Sequence, residues 1–244
     1  MKKFILLVFV FSIMNVFAQE KLEIKIDNPQ PRVGQKIILS IEDKFLDDYI
    51  QGEIDDQIEF TGSQSIYGFH SSGINRVIIF NKAKTYKIGP LNFELNGKKY
   101  TTNVIEVDVL KELPIEEGLW LRQTEFEGEQ YLILEQMIVN ESNKTEDENG
   151  GISETIGGVK PDHIEYAELN EDISDGIVLS NYSSASHTIS SNKTNFLDVG
   201  LSYSIKKYKI TYDENYNGSY SISKKDITNL PEVSDLGNIQ LKQN

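Results

Sequence analysis

The fold class is indicated by one stretch, residues 85–110, which reads TYKIGPLNFELNGKKYTTNVIEVDVL. In its first half, Leu91, Phe93 and Leu95 alternate with polar residues, and a similar alternation runs from Tyr100 to Leu110. A period of two is typical of half-buried strands. Asn96-Gly97, between the two alternating runs, is the dipeptide preferred by two-residue hairpin turns. The stretch therefore predicts a β-hairpin within an all-β fold.

The rest of the first half carries the same pattern. Short alternating or β-branched runs are separated by turn residues, and they lie at Leu22–Ile26, Ile37–Ile41, Ile58–Phe60 and Arg76–Phe80. About seven short strands in under 100 residues predict a β-sandwich. The segment from Asp43 to Ile54 has apolar residues near helical spacing, so it is compatible with a short helix or with a loop between sheets.

The second half predicts another β domain after a linker at Lys111–Glu117, which mixes charge with a proline. Polar loops, the first of them mobile, are expected at 140–158 and 182–195. We therefore predict tandem immunoglobulin-like β-sandwich domains, at residues 19–112 and 113–244. The strands expected in the second are Leu119–Phe126, Tyr131–Val139, Ile164–Leu169, Gly176–Ser180, Leu201–Tyr212 and Ser219–Ser223, with a last one at Ile239–Leu241.

Residues 1–18 have the pattern of a secretory signal peptide. Lys2 and Lys3 precede an apolar run from Phe4 to Met14, and Val16 and Ala18 supply the small residues before a cleavage site. The apolar run is short for a membrane span, which needs about 20 residues. We expect cleavage after Ala18 and a periplasmic or secreted protein without a membrane anchor. The chain has no cysteine, which excludes lipid attachment, disulfides and thiolate metal sites.

The charge balance disfavours two classes of partner. The chain carries a net charge of −14 at pH 7 and has a pI of about 4.7. Nucleic acids and anionic membranes both attract basic surfaces, so we expect neither as a partner.

Two pieces of the first half resemble the BatD family, which is associated with bacterial oxygen-tolerance operons. The opening piece is Ile24–Asp27 followed by Val33–Ile37, and the closing piece is Lys84–Pro90, Asn96–Asn103 and Ile105–Val109. The closing piece is similar to the family's strand, Ile-Gly-Pro turn, strand and Gly-Lys-x-Tyr ending. The resemblance covers about residues 22–110. It implies an immunoglobulin-like domain in the cell envelope, without catalytic residues, whose partners are other envelope proteins.

The candidate catalytic residues do not form a recognisable motif. His70, His163 and His187 are far apart in sequence, and no nucleophile elbow or His-Glu-x-x-His spacing accompanies them. Neighbouring carboxylates at Asp47-Asp48, Asp55-Asp56, Glu116-Glu117 and Glu171-Asp172 are expected to be mostly solvated turns, since glycosidase chemistry needs two carboxylates across a cleft. We expect no enzyme, and we name no catalytic, cofactor-binding or metal-ligating residue.

Two further features, an acidic loop and the single tryptophan, are compatible with calcium and carbohydrate binding, respectively. Residues Asp147–Gly151 resemble part of a calcium loop but lack its alternating ligands, so calcium binding by this loop stays open. Trp120 is expected in the core or on a carbohydrate-binding face. Gly150-Gly151 and Gly157-Gly158 lack the context of a phosphate loop.

The function that follows is a non-catalytic, exported cell-envelope protein that binds envelope or periplasmic proteins through a sheet edge or loop face. The alternative is a surface adhesin or carbohydrate-binding module that uses the loops at 140–158 and 182–195. A hydrolase on a β scaffold is a third class, which lacks a motif to support it.

Overall fold

The computed structural model describes residues 19–53, 56–65, 73–126, 128–142, 144–155, 157–190 and 198–243. The predicted signal peptide, residues 1–18, lies outside them. The chain divides into two compact units, Met1–Leu113 and Pro114–Asn244, and the division falls inside the predicted linker.

The described part of the first unit is built from nine strands and one helix. In chain order they are β1 (Glu20–Leu22), β2 (Ile24–Ile26), β3 (Lys36–Ile41), α1 (Leu46–Glu53), β4 (Ile58–Ser65), β5 (Ile74–Phe80), β6 (Thr85–Ile88), β7 (Asn92–Leu95), β8 (Lys98–Thr102) and β9 (Ile105–Asp108).

These strands form three sheets. Four strands pair in the order β2-β3-β5-β4, β1 and β7 flank β8, and β6 pairs with β9. Alternate residues of β2 and β3 are buried, as their period-two sequences predict. The core of the unit is mainly aliphatic, and burial of one such side chain stabilises the fold by roughly 1.5–3 kcal/mol. It includes Ile24, Ile37, Leu39, Ile41, Ile78, Phe80, Tyr86, Ile88, Val107 and Val109.

The predicted hairpin turn is confirmed. β7 and β8 pair antiparallel, with Leu95 opposite Lys98, so Asn96 and Gly97 are the two turn residues. Both have positive φ, 51° and 78°, which asparagine and glycine adopt more readily than other residues. Gly89 also has positive φ, and a side chain there would overlap the carbonyl oxygen of Asn103.

The segment after β3 forms the helix α1, which resolves the choice between helix and loop. Leu46 and Ile50 lie one turn apart and are both fully buried. Asp47 in the first turn accepts a hydrogen bond from Nε of Arg76 on β5 at 2.6 Å, and the same guanidinium donates a second one through Nη2. This ion pair fixes the helix to the four-stranded sheet.

The described part of the second unit has twelve strands and one turn of 3-10 helix at Lys224–Asp226. The strands are β10 (Gly118–Phe126), β11 (Glu129–Val139), β12 (Lys144–Glu146), β13 (Ile152–Glu154), β14 (Glu168–Leu169), β15 (Asp172–Ser174), β16 (Ile177–Ile189), β17 (Leu201–Tyr212), β18 (Ser219–Ser221), β19 (Ile227–Thr228), β20 (Ser234–Asp235) and β21 (Gln240–Lys242).

Its main sheet has six strands in the order β15-β16-β17-β11-β10-β20. Residues on one face of this sheet pack against the short pairs β14-β19 and β18-β21 in one hydrophobic core. That core includes Leu119, Leu121, Leu132, Leu134, Ile177, Leu179, Tyr208, Ile210, Ile227 and Leu241.

Three predictions for the second unit are wrong in part. The expected loop from 182 begins as a strand, because β16 continues to Ile189. The expected loop at 140–158 contains the antiparallel pair β12-β13. The strand expected at Ile164–Leu169 is reduced to the two residues of β14, since Pro161 and Ile164 form a turn before it.

The prediction of an all-β, sandwich-type fold is confirmed, with several sheets and one short α-helix in the described residues. Among those residues we find no helix with the length and apolar character that crossing a bilayer requires.

Candidate functional site

The three histidines do not come together in the described residues. His70 lies outside them. His163 is exposed and lines a cavity of about 520 Å³ in the second unit, together with Glu117, Glu165 and Glu232. No serine is among the described residues that line this cavity. His187 is exposed on β16, where its ring meets the ring of Tyr203 edge-on at 5.0 Å.

The neighbouring carboxylates divide into one buried group and several exposed ones. Asp47 is buried and hydrogen-bonded by Arg76, which holds the pKa of Asp47 below its usual value. Asp47 is therefore an exception to the expectation that these carboxylates are mostly in solvated turns. The other described members of these pairs are exposed; they are Asp48, Asp56, Glu116, Glu117, Glu171 and Asp172.

Asp147 closes the turn between β12 and β13. Its Oδ1 accepts hydrogen bonds from the backbone N–H groups of Gly151 at 2.8 Å and Asn149 at 2.9 Å. These two bonds lower the pKa of Asp147. A carboxylate used in this way stabilises a turn. Within the described ranges, no group of three or more His, Cys, Asp and Glu side chains is arranged to hold a metal ion.

The most exposed feature of the six-stranded sheet is the distal part of β16. Nine consecutive residues, Ser180–Thr188, are exposed. β15 covers only the first residues of β16, where Asp172 lies opposite Val178. Beyond Leu179, no strand in the described part of the chain pairs with β16 on that side. This edge is therefore open over about 30 Å, at roughly 3.3 Å per residue.

Two backbone hydrogen bonds identify which backbone groups of β16 face outward. Leu179 N–H donates to the carbonyl of Glu171, on the side away from β17. Asp213 N–H donates to the carbonyl of Gly176, so Gly176 faces β17. In an antiparallel pair the direction alternates from residue to residue. Before the bulge, odd-numbered residues of β16 therefore direct their backbone groups outward.

A β-bulge then reverses this alternation. Asn181 lies opposite Tyr208 and Ser183 lies opposite Lys207, which leaves Tyr182 as the extra residue. Beyond the bulge, Ser183, Ala185 and His187 face β17. The N–H and C=O groups of Ser184, Ser186 and Thr188 face outward. Backbone groups in this position are available to an added strand.

The bulge also directs Tyr182 over a lysine on the sheet face opposite the core. The ammonium of Lys207 lies 4.2 Å from the ring centre of Tyr131, 5.0 Å from that of Tyr182 and 5.4 Å from that of Phe126. Each such contact stabilises by about 0.5–2 kcal/mol. Lys207 is only 8% exposed, so the three rings help to keep a buried cation in place.

An ion pair lies on the same face. The carboxylate of Glu135 is fully buried and accepts hydrogen bonds from Nε of Arg122 at 3.2 Å and from the hydroxyl of Tyr203 at 2.8 Å. This arrangement holds β10, β11 and β17 together through their side chains. It satisfies a buried charge, as a structural ion pair does.

An aromatic stack with one exposed ring, that of Tyr49, lies in the first unit. The ring of Tyr49 on α1 stacks on Phe93 at 4.7 Å, and Phe93 stacks on Tyr100 at 5.3 Å. Tyr49, Phe93 and Pro90 line a cavity of about 360 Å³. Trp120, the other candidate for a carbohydrate face, is half-buried and folds its indole ring over Gly118.

The negative charge of the chain is concentrated in the second unit. Residues 114–244 contain 23 of the 38 acidic residues and 10 of the 24 basic residues, which gives a net charge of −13. The first unit contains 15 acidic and 14 basic residues and is nearly neutral. Ser180–Ile189 contains no Asp, Glu, Lys or Arg, so the open edge is an uncharged strip within an acidic unit.

Comparison with known proteins adds no family to these observations. No protein-family model matches the chain, and no curated protein is similar to it.

The open edge was missed at the sequence level because its serines and threonines suggest a loop. One signal was present in the sequence. No Gly or Pro occurs between Gly176 and Gly200. The absence of these residues over so long a stretch favours an extended strand.

Proposed function

We propose that this chain is an exported, immunoglobulin-like protein of the cell envelope that binds another envelope protein by strand addition. In this function, an extended segment of the partner pairs with the outer edge of β16 and extends the six-stranded sheet. Backbone hydrogen bonds supply affinity, and exposed side chains beside the edge supply specificity. No covalent step is involved. The BatD-like sequence features of residues 22–110 support placement in the envelope.

The observation that carries the proposal is the combination of exposure and order at Ser184, Ser186 and Thr188. Their outward backbone groups belong to a strand that β17 already holds in extended form. A partner strand therefore meets a preformed template, and little conformational entropy is lost on the side of this chain. Proteins usually protect such edges with Lys, Pro or a covering segment, and Ser180–Ile189 has neither Lys nor Pro.

The test is a proline placed where it affects only the outer edge. Ser186→Pro removes one outward N–H group and leaves the bonds from Ala185 and His187 to β17 intact. Ser186→Ala is the matched control, because it removes the hydroxyl and keeps the N–H. We expect the wild-type protein and Ser186→Ala to capture the same protein from an envelope extract, and Ser186→Pro to lose it.

Hydrogen exchange on the captured complex provides a direct readout. The amides of Ser184, Ser186 and Thr188 should gain protection on binding, whereas the inward amides of Ala185 and His187 are protected before and after. Urea unfolding followed by Trp120 fluorescence verifies that Ser186→Pro is folded. Equal capture by folded Ser186→Pro, with no change in protection, would refute strand addition at this edge.

The alternative function, a surface adhesin or carbohydrate-binding module, is favoured by the cavity beside Tyr49 and Phe93. Stacked aromatic rings next to the polar side chain of Asn92 suit the apolar face and hydroxyls of a sugar. If the protein binds a glycan, and Tyr49→Ala abolishes this binding while Ser186→Pro leaves it unchanged, the result would support the carbohydrate-binding function over strand addition.

A further inference from the structure

We infer that the segment which adds to β16 is basic, with Lys or Arg at the end that meets β15. This inference rests on the proposed function, since it concerns the partner of the same edge. It follows from the placement of charge around the edge.

The first observation is the set of carboxylates where the open edge begins. β15 occupies the same side of β16 as an incoming strand and runs antiparallel to β16, so the end of the incoming strand abuts the beginning of β15, where Glu171 accepts a hydrogen bond from Leu179. Glu171 and Asp172 lie at this junction, and both are exposed. A partner side chain that ends here is surrounded by negative charge, and an ammonium or guanidinium group is the complementary partner.

The second observation is that the lysines of the neighbouring strand are already engaged within the chain. Nζ of Lys206 contacts Oε1 of Glu168 at 2.6 Å, and Nζ of Lys209 contacts Oε1 of Glu129 at 3.0 Å. Lys207 is buried among aromatic rings. These cations therefore do not neutralise Glu171 and Asp172, and the field at the open edge follows the net charge of −13.

The same charge argues against a second copy of this chain as the partner. Two-fold pairing through β16 would bring together two units of net charge −13, each with exposed carboxylates beside the edge. Like charges at close range oppose association, and the opposition is greatest at low salt. At low salt, charge attraction strengthens the binding of a basic partner, whereas charge repulsion weakens the association of a second copy. The two interactions therefore have opposite salt dependences.

The test uses the purified full chain and two acetylated peptides of alternating threonine and valine. One carries two lysines at one end, the other two glutamates at the same positions, and each is made in both orientations. At low ionic strength we expect the better lysine peptide to bind about tenfold more tightly than its glutamate counterpart, from two exposed ion pairs. The difference should shrink at about 0.5 M salt.

Matched variants separate this local charge from the charge of the whole unit. Glu171→Gln/Asp172→Asn should weaken the lysine peptide several-fold and leave the glutamate peptide no weaker. Glu125→Gln/Glu232→Gln removes the same charge from the far side of the sheet. Glu232 lies just before the edge strand β20, and Glu125 lies on β10, which is three strands from β16. That distance is about 14 Å, beyond the screening length of physiological salt. The control should bind as the wild type does.

Each remaining outcome counts against a specific statement. If both peptides bind equally and Ser186→Pro abolishes both, strand addition stands and the basic partner is wrong. If sedimentation shows a dimer that salt strengthens and Ser186→Pro abolishes, the occupant is a second copy and the basic partner is again wrong. If neither peptide binds and no outward amide gains protection, both the inference and the proposed function fail.

Discussion

Removal of the Glu135 carboxylate should destabilise the second unit more than most single substitutions. Glu135 is 0% exposed and accepts hydrogen bonds from Arg122 and Tyr203. Glu135→Ala removes this carboxylate from the guanidinium of Arg122, whose side chain is only 13% exposed.

The magnitude follows from burial. Breaking a buried ion pair by removing one partner costs about 3–5 kcal/mol, because the remaining charge is poorly hydrated. The hydroxyl of Tyr203 loses an acceptor as well, which is included in that range. With a slope of about 2 kcal/mol per molar urea, the midpoint of unfolding should fall by about 1.5–2.5 M.

The assay is equilibrium unfolding in urea followed by tryptophan fluorescence. Trp120 is the single tryptophan of the chain and lies directly opposite Glu135 in the pairing of β10 with β11, so it reports on this unit. Glu135→Gln keeps an acceptor oxygen and should lose less stability than Glu135→Ala. The double variant Arg122→Met/Glu135→Met replaces the pair by apolar side chains and should recover to within about 1 kcal/mol of the wild type.

Two results would contradict this reasoning. A loss below about 1 kcal/mol for Glu135→Ala would mean that water reaches the carboxylate in solution. A double variant less stable than Glu135→Ala would mean that packing around the pair matters more than its charge.

Two further predictions concern pH. Hydrogen bonding to Arg76 lowers the pKa of Asp47 below its ordinary value of 3.8, so this pair stabilises the first unit above that pH and the contribution is lost as pH falls through the lowered pKa. Thermal unfolding by circular dichroism should therefore show a higher midpoint for the wild type than for Asp47→Asn at pH 7, and the difference should narrow at acid pH. Burial, together with a hydrogen bond to Asp226, raises the pKa of Tyr220 from 10.0 to about 12. The stabilisation by Tyr220 is complete below pH 10 and is lost as pH rises towards about 12. Tyr220→Phe should therefore reduce the loss of stability between these two pH values. A titration followed by tyrosinate absorbance should show one fewer group of high pKa in this variant.

Strands with a clear hydrophobic pattern could be predicted from the sequence almost residue by residue. β17 begins and ends where the alternation of Leu201–Tyr212 does, and the Asn96-Gly97 turn joins β7 to β8 as expected. In these segments the hydrophobic pattern and the turn residues agree with the tertiary structure. The sequence does not decide between helix and loop for α1, because eight residues give a weak periodic signal and the ion pair between Asp47 and Arg76 joins residues 29 positions apart.

The candidate site could not be predicted in the same way. The distal part of β16 is exposed on both faces, so its sequence has no apolar alternation to mark it as a strand. Its openness depends on β15 beginning only at Asp172, opposite Val178, and that is a property of strand pairing which composition does not encode. The aromatic contacts of Lys207 likewise bring together four residues from β10, β11, β16 and β17.

The bulge at Tyr182 affects both the sheet face that carries Lys207 and the open edge of β16. An extra residue in β16 places Tyr182 beside Lys207 and, at the same time, reverses which later amides face outward. With regular pairing, Ala185 and His187 would present their N–H groups to a partner and Ser186 would bond to β17. The effect of proline therefore reports on the bulge as well as on the edge. A folded Ser186→Pro and a destabilised Ala185→Pro are expected with the bulge, and the reverse pattern is expected without it.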